Sequence, residues 1–319
     1  TPCQHEACGN VTGYLRLSMS SPLRIGVLGA GHLGRIHLRC LHSLADRWEV
    51  VGYHDPDPEA AVAVEALAQS EGWPKVPAAF PSPQALFDAA DAVAIVTPTP
   101  EHGRLAQEAL ARGIHCFIEK PVTTTLEEAE ALVRARDVAQ RVVQVGHVER
   151  FNPAFEAARS HLTDPRFIEA HRLAKYPPAR PGLHRRGTEV SVVLDLMIHD
   201  LDLILTMVDS EVDRFDAVGI PVLSKTEDIA SVRIKFKNGS VANLTASRIS
   251  VDPQRRFRVF QEDCYISLDY GECTGMILRK NRVGISRKDI NFDQKNALAH
   301  ELEDFLDATK HTIESGVIM

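Results

Sequence analysis

Residues 23–37 read LRIGVLGAGHLGRIH, and the order of features in that stretch decides the fold. An apolar strand pattern, LRIGVL, runs into Gly29, Gly31 and Gly34 in G-x-G-x-x-G spacing, and these glycines open an amphipathic pattern, HLGRIHLRCLHSLADR (32–47). Missing side chains there allow a tight turn and bring a pyrophosphate close to a helix N-terminus, where free N–H groups meet it. His32 and Leu33 lie within the same loop and join the expected cofactor contacts. Asp55 ends the next apolar run, WEVVGYHD (48–55), 21 residues past Gly34. An acid at that place accepts hydrogen bonds from both ribose hydroxyls and repels a 2′-phosphate, which favours NAD over NADP. Arg35, beside the loop, is the counter-signal, since a guanidinium could serve a phosphate. Glycines that merely form a turn are the plainer alternative, against which the preceding strand, following helix and distant acid all weigh.

Outward from this stretch, apolar runs alternate with helical patterns: PEAAVAVEALAQSEG (58–72), DAVAIVTP (91–98), PEHGRLAQEALARG (100–113), IHCFIEK (114–120), LEEAEALVRARDVAQ (126–140) and VVQVGHV (142–148). Such alternation predicts a parallel sheet with helices on both faces, a doubly wound α/β fold. The 319 residues, 44% hydrophobic and 25% charged, hold material for one or two cores, with two the expectation. A formal charge of -7 argues against a general polyanion binder, so nucleic acid is not expected as a partner. No run approaches the roughly 18 apolar residues of a membrane span. Six cysteines without a secretory signal point to reduced thiols in a cytoplasmic protein. Residues 1–20 show no periodicity and read as a disordered extension, with Met19 a candidate start. Cys3, His5 and Cys8 lack the fourth ligand and second element a metal site needs, and no metal is expected.

In open parallel sheets, ligands bind beyond the carboxyl ends of the strands, so the residues there are the candidates. Thr97, Pro98 and Thr99 leave the sheet after DAVAIV, and His102 falls in the first turn of the next helix. They could line the cofactor crevice, and Thr99 could equally cap that helix. IHCFIEK ends on Glu119 and Lys120 before Pro121, which cannot donate to a ladder and turns the chain outward. A lysine at a half-dry cleft rim loses hydration, which suits it to donate a proton or polarise a hydroxyl near neutral pH. Glu119 could pair with it or touch the cofactor, while an ordinary surface lysine is the rival.

EVSVVLDLMIHDLDLILTMV (189–208) reads as one long apolar helix with Asp195 and His199 spaced i, i+4 on one face. Ionisable groups in such a helix are costly unless paired, solvated or functional. An aspartate one turn from a histidine orients the ring as a general base requires, although a purely structural pair would look the same. Asp200 and Asp202 fall elsewhere on the wheel and are expected to be structural or exposed. Further on, DIASVRIKFKNGSVANLTASRIS (228–250) holds two alternating runs joined by Asn238-Gly239, a hairpin signal. RRFRVFQEDCYISLDY (255–270) supplies more strands, and Leu298, Leu302, Phe305 and Leu306 form the stripe of a final helix.

GAGHLGRIH (29–37), TPTPEHGRLAQEALARGIHCFIEKPVTTTLEEAEAL (97–132) and DLMIHDLDLIL (195–205) resemble the glucose-fructose oxidoreductase, inositol dehydrogenase and MocA group of NAD(P)-dependent sugar oxidoreductases. The likeness runs from about residue 22 to 315. It implies an NAD-binding Rossmann domain over 21–148 and, over 149–319, a substrate-binding and oligomerisation α+β domain with a large open, mainly antiparallel sheet. It also implies that Lys120, Asp195 and His199 face the nicotinamide and the reacting sugar carbon, in a homodimer or homotetramer. The chain departs from that pattern in ending at Met319, where relatives usually continue through another helical segment.

Substrate choice is expected to rest on VGHVERFNPAF (145–155) and KYPPARPGLHRRG (175–187). Arg150 and Asn152 should face the substrate, while Arg180, His184, Arg185 and Arg186 make a basic cluster suited to a diphosphate, with a solvated loop as the alternative. These stretches resemble UDP-N-acetylglucosamine 3-dehydrogenases, which implies a UDP-sugar substrate oxidised at C3 and a pyridoxal-phosphate aminotransferase acting next, towards lipid A. Under that reading His199 takes the hydroxyl proton, Asp195 steadies the imidazolium and Lys120 hydrogen-bonds the same oxygen, with lysine and histidine free to exchange roles. The rivals are a dehydrogenase of a free cyclitol or aldose and a non-catalytic dinucleotide-sensing regulator on the same fold.

Overall fold

The computed structural model describes residues 22–179, 185, 187–272, 274–292 and 295–315. Strand β1 (Leu23–Leu28) is apolar on both faces, and Ile25, Val27 and Leu28 are fully buried, as a central parallel strand demands. It is joined by β2 (Trp48–His54), β3 (Ala78–Ala79), β4 (Ala92–Ile95), β5 (His115–Glu119) and β6 (Val143–Gly146) in a parallel sheet ordered β3-β2-β1-β4-β5-β6. The order reverses between β1 and β4, and this switch point sets the glycine loop beside the ends of β4 and β5. Helices α1 (His32–Ser43), α2 (Pro58–Ser70), α3 (Pro83–Phe87), α4 (His102–Ala111) and α5 (Leu126–Ala139) alternate with these strands. Asp57, Ser82 and Thr125 cap α2, α3 and α5 with their side chains, each contributing about 1 kcal/mol. Thr125 does so in a reciprocal box with Glu128.

A second sheet follows α6 (Pro153–Arg159). Its strands are β7 (Phe167–Leu173), β8 (Val212–Ile220), β9 (Ile229–Phe236), β10 (Val241–Ser247), β11 (Gln254–Phe260), β12 (Cys264–Asp269), β13 (Thr274–Asn281) and β14 (Gly284–Asn291). They lie in the order β14-β13-β12-β11-β7-β10-β9-β8, antiparallel except for β7 beside β10. The expected Asn238-Gly239 turn joins β9 to β10, with Gly239 at φ 89°, a region that favours glycine. Alternate residues of β7, Ile168 and Ala170, pack with Phe155 of α6 and with Leu203 and Ile204 of α7 (Ile198–Met207). Among the described residues no helix is long and apolar enough to cross a membrane.

Two expectations about helices need correction. The helix expected over 189–208 starts later: residues 187–190 form a turn, Val193–Met197 a π-helical stretch, and α7 proper begins at Ile198. Such stretches often mark functional sites. The final helix α8 (Ala297–Ser315) buries the expected stripe, but not in the second sheet's core. Leu298, Leu302, Phe305 and Leu306 join Leu23, Ile25, Trp48 and Phe117 in the first sheet's core, where Phe305 stacks on Trp48 at 5.9 Å and meets Phe117 edge-on at 5.8 Å. A boundary at 148/149 therefore leaves α8 with the wrong sheet, because packing and not chain order decides which core a helix completes.

Candidate active site

The glycine loop is shaped by what it cannot accommodate. Gly29 has φ 89°, and a Cβ there would lie 2.7 Å from the Val96 carbonyl; at Gly34 it would lie 1.9 Å from the Gly29 carbonyl. At Gly31 a Cβ would meet nothing within 4 Å, so that side of the loop is open. Gly31 is also the N-cap of α1 and supplies no side-chain cap, which leaves the helix's first N–H groups for an incoming anion. His32 is exposed and Leu33 half-buried in that first turn. Asp55 accepts from the Ala30 N–H at 2.7 Å and, with its other oxygen, from the Asp57 N–H at 2.9 Å, which fixes the carboxylate beside the loop. Arg35 donates to the Ala30 carbonyl at 3.1 Å, so the guanidinium that could have signalled NADP is engaged by the loop itself. This cradle fits a dinucleotide pyrophosphate with an adenosine ribose at Asp55.

Beyond β4, the Thr97 hydroxyl is buried without a partner among the described residues. Pro98 precedes a short 3-10 turn over Thr99–Glu101, and the N-cap positions of that turn and of α4, Pro98 and Glu101, supply no side-chain cap. His102, 1% exposed, bridges the carbonyls of Thr97 at 2.8 Å and Pro121 at 2.9 Å. It thus ties the exits of β4 and β5 together.

At the end of β5, Glu119 pairs with His37 of α1, Oε1 to Nε2 at 2.8 Å, and not with the Lys120 ammonium. Its other oxygen accepts the Lys120 backbone N–H at 3.2 Å. Gly146 of β6 makes room, since a Cβ there would lie 3.2 Å from that oxygen. The Lys120–Pro121 bond is cis. Lys120 Nζ crosses to the second domain, donating to the Asp195 carbonyl at 2.7 Å and lying 3.5 Å from Oδ1. The ion pair is mostly shielded, with side-chain exposures of 18% and 25%.

Sequence spacing pointed Asp195 at His199; the carboxylate instead faces Lys120 and Gly187, and His199 Nδ1 is buried without a partner among the described residues. An ammonium offsets a half-buried carboxylate's lost hydration better than a neutral ring does. Burial, reinforced by the positive charges of Arg172 and Lys120, holds His199 well below the ordinary imidazole range, so the ring stays neutral. Asp200 forms a bidentate pair with Arg172 at 3.0 and 2.9 Å, and Arg172 also binds Glu149 at 2.8 Å, all buried beneath α7.

Of four expected substrate residues, two are bonded within the fold and two lie outside the described residues. Arg150 spends its fork on Asp202, at 2.7 and 2.6 Å. Asn152 caps α6 by accepting from the Ala154 N–H at 3.0 Å and donates to Glu149 at 2.8 Å. Within the fold these two side chains thus bond to Asp202, Glu149 and the N-terminus of α6. Arg180 and His184, with Arg186, lie outside the described residues. Arg185 lies over the Tyr176 ring at 5.2 Å and donates to the Pro177 carbonyl.

Residues passed over in the sequence also converge here. His37 lies inside the opening motif, yet its partner Glu119 is 82 residues away. Glu301 sits between stripe positions of α8, 1% exposed, with neither carboxyl oxygen partnered among the described residues. Burial, with the charge of Glu119 adding to it, pushes its carboxyl up to about 9. Among the described residues no group of His, Cys, Asp and Glu could hold a metal ion.

Comparison with known proteins matches residues 23–147 to the model of an oxidoreductase family with an NAD-binding Rossmann fold, and residues 158–267 to the GFO/IDH/MocA C-terminal domain. UDP-N-acetylglucosamine 3-dehydrogenase from Acidithiobacillus ferrooxidans is 37% identical over 293 residues, covering 90% of this chain and 88% of that protein. A solved structure of that enzyme superposes with a TM-score of 0.80 over 90% of this chain and 89% of that one. The scyllo-inositol 2-dehydrogenase (NAD(+)) of Bacillus subtilis is 30% identical over 251 residues, 73% of this chain and 69% of that protein. A levoglucosan dehydrogenase in complex with NADH and levoglucosan shares the fold at a TM-score of 0.80, with 17% identity over 94% of this chain and 92% of that one.

Proposed function

The chain belongs to the GFO/IDH/MocA family of NAD-binding oxidoreductases, and from that premise we propose that it oxidises the C3 hydroxyl of UDP-N-acetylglucosamine to the 3-keto sugar. The coarser activity, NAD-dependent dehydrogenation of a sugar CH–OH, rests on the family and on relatives named for UDP-sugar and inositol oxidation. The finer one is supported by near full-length likeness to a UDP-N-acetylglucosamine 3-dehydrogenase. The observation that carries the chemistry is Lys120 Nζ, which reaches from the rim of the first sheet to Asp195 at 2.7 Å, one helical turn from His199.

NAD, when bound, supplies the hydride acceptor; the glycine loop and Asp55 are the residues to hold it. His199, kept neutral by its surroundings, accepts the hydroxyl proton. Lys120 donates a hydrogen bond to the same oxygen as it gains alkoxide character, and Asp195 balances the lysine's charge and aims it. Residues 21–148 bind the cofactor and 149–319 the sugar, with α8 packed back on the first sheet. The product then passes to a pyridoxal-phosphate aminotransferase on a route to lipid A, in the cytoplasm. Strand β8, exposed along its length with Phe215 at 70%, supports assembly into a homo-oligomer.

The test is incubation with NAD+ and a panel of UDP-sugars, inositols and free aldoses, following NADH and trapping ketones with an aminotransferase and glutamate. Turnover confined to UDP-N-acetylglucosamine is expected. No product from any nucleotide sugar, or preference for inositols, overturns the substrate assignment.

A further inference from the structure

Asp195 is covered by a residue that has no side chain. Gly187 has φ 77°, and a Cβ there would lie 2.3 Å from Asp195 Oδ2 and 2.8 Å from its Cγ. Any other residue must shift either the turn or the carboxylate, and the turn is not free to move. Its carbonyls, Gly187 O and Val190 O, both accept from Arg248 Nη1, at 2.5 and 2.9 Å. Arg248 Nη2 donates to Ser224 Oγ at 2.9 Å and Thr226 Oγ1 at 2.7 Å, and Nε donates to Asp228 Oδ1 at 2.8 Å. Thr226 Oγ1 donates in turn to the Val190 carbonyl at 2.9 Å. Asp228 accepts three backbone N–H groups, from Val222, Leu223 and Ser224. Arg248 is 1% exposed and Asp228 is fully buried. A guanidinium has five N–H donors, and all five are used here. A buried network with every donor satisfied is rigid, because each member lost would leave others unpaired.

We propose that Arg248 and Gly187 form a positioning unit for the Lys120–Asp195 pair. The guanidinium clamps the 187–190 turn to the 224–228 loop, and the bare Cα of Gly187 closes over Asp195 Oδ2, so that Oδ1 and the backbone carbonyl stay turned to Lys120 Nζ. The unit acts through Asp195, as a positioning device and not as a reacting group. It explains why Asp195 faces the lysine across the domains and not the histidine on its own helix. This inference rests on the roles assigned above to Lys120 and Asp195.

The experiment compares Gly187→Ala, Arg248→Lys and Thr226→Val with wild type in the full-length chain, using whichever substrate the panel identifies. Gly187→Ala is expected to lower kcat roughly 10- to 100-fold, as ångström-scale misplacement of a reacting group does. NAD affinity stays unchanged, and the pH profile of kcat shifts because the lysine's counter-charge has moved. Arg248→Lys and Thr226→Val keep the polypeptide's charge balance or shape and are expected to show the same shift in smaller measure. On an Asp195→Ala background, adding Gly187→Ala lowers kcat no further, since the clash partner is gone. A merely structural role would lower the melting temperature while leaving the pH profile of the remaining active enzyme in place; that result, or equal kcat losses on both backgrounds, overturns the proposal. Should Gly187→Ala not fold, Thr226→Val decides by the same profile. Normal turnover in Lys120→Ala would instead sink the assigned chemistry, whereas an inactive Lys120→Ala beside a fully active Gly187→Ala sinks the positioning unit alone.

Discussion

Glu301→Gln isolates the cost of a single buried carboxyl. Glu301 is 1% exposed on α8, neither oxygen has a partner among the described residues, and burial together with Glu119 raises its carboxyl from 4.5 to about 9. The groups facing it are Glu119 at the end of β5, Arg150 after β6, Asp202 on α7 and Asp304 on α8, and the single cation is already bonded to Asp202. Between those two pH values the folded chain holds a proton that the unfolded chain has released. Stability is therefore fully present below about pH 4.5 and falls as pH rises towards about 9. The slope for one proton is about 1.4 kcal/mol per pH unit, so the loss at pH 7 is on the order of 3 kcal/mol. Glutamine has the shape of the protonated acid and no proton to lose. Urea unfolding of both proteins at pH 5.5 and 8.0 reads the difference, and titrations shared by the two cancel. Wild type is expected to lose about 3 kcal/mol more than Glu301→Gln across that interval. Parallel losses would mean that water or an unseen partner reaches the carboxyl, and the reasoning would fall with them.

Lys120→Ala and His199→Ala should each reduce kcat by about 10²- to 10⁴-fold while NADH binding, followed by its fluorescence, is unchanged; near-normal turnover in either removes that residue from the chemistry. Because burial and neighbouring cations hold His199 well below 6.5, its basic form persists as pH falls, and the acid limb of kcat should lie clearly below pH 6.5. A limb at or above that value would show that another group sets it. Asp55→Ala should weaken NAD binding and narrow the preference over NADP, measured as the ratio of the two dissociation constants, and an unchanged ratio refutes the role of the acid.

Local pattern decides the first sheet almost entirely. β1 and the glycine loop announce themselves because a strand, a turn and a helix each have their own periodicity, and those signals agree over fifteen residues. β3 escapes because Ala78–Ala79 has no periodicity at all; it forms by hydrogen-bonding beside β2, where Phe80 donates to the Tyr53 carbonyl at 2.8 Å. The home of α8 escapes for a different reason. Its stripe was visible, but a stripe says that a helix must pack and not against what, and the gap beside Trp48 and Phe117 exists only in the folded sheet.

The same division runs through the site. Chemistry-bearing residues at strand ends and in an apolar helix could be named from position, since an ionisable group there must be paired or used. Their partners could not be named, because each pairing is settled by competition across the fold. Glu119 could choose between Lys120 beside it and His37 on α1, and Asp195 between His199 on its own helix and Lys120, 75 residues away. In both cases the residue close in sequence lost. For Glu119 the adjacent lysine side chain points across the cleft, leaving the buried imidazole of His37 within 2.8 Å. For Asp195 the neutral histidine offers no charge, whereas the ammonium does, and Gly187 leaves the carboxylate no room to turn away. The two choices meet at Lys120, whose backbone N–H donates to Glu119 and whose Nζ donates to the Asp195 carbonyl. Breaking the buried His37–Glu119 pair should therefore be felt at Lys120, even though neither partner lies on the second domain.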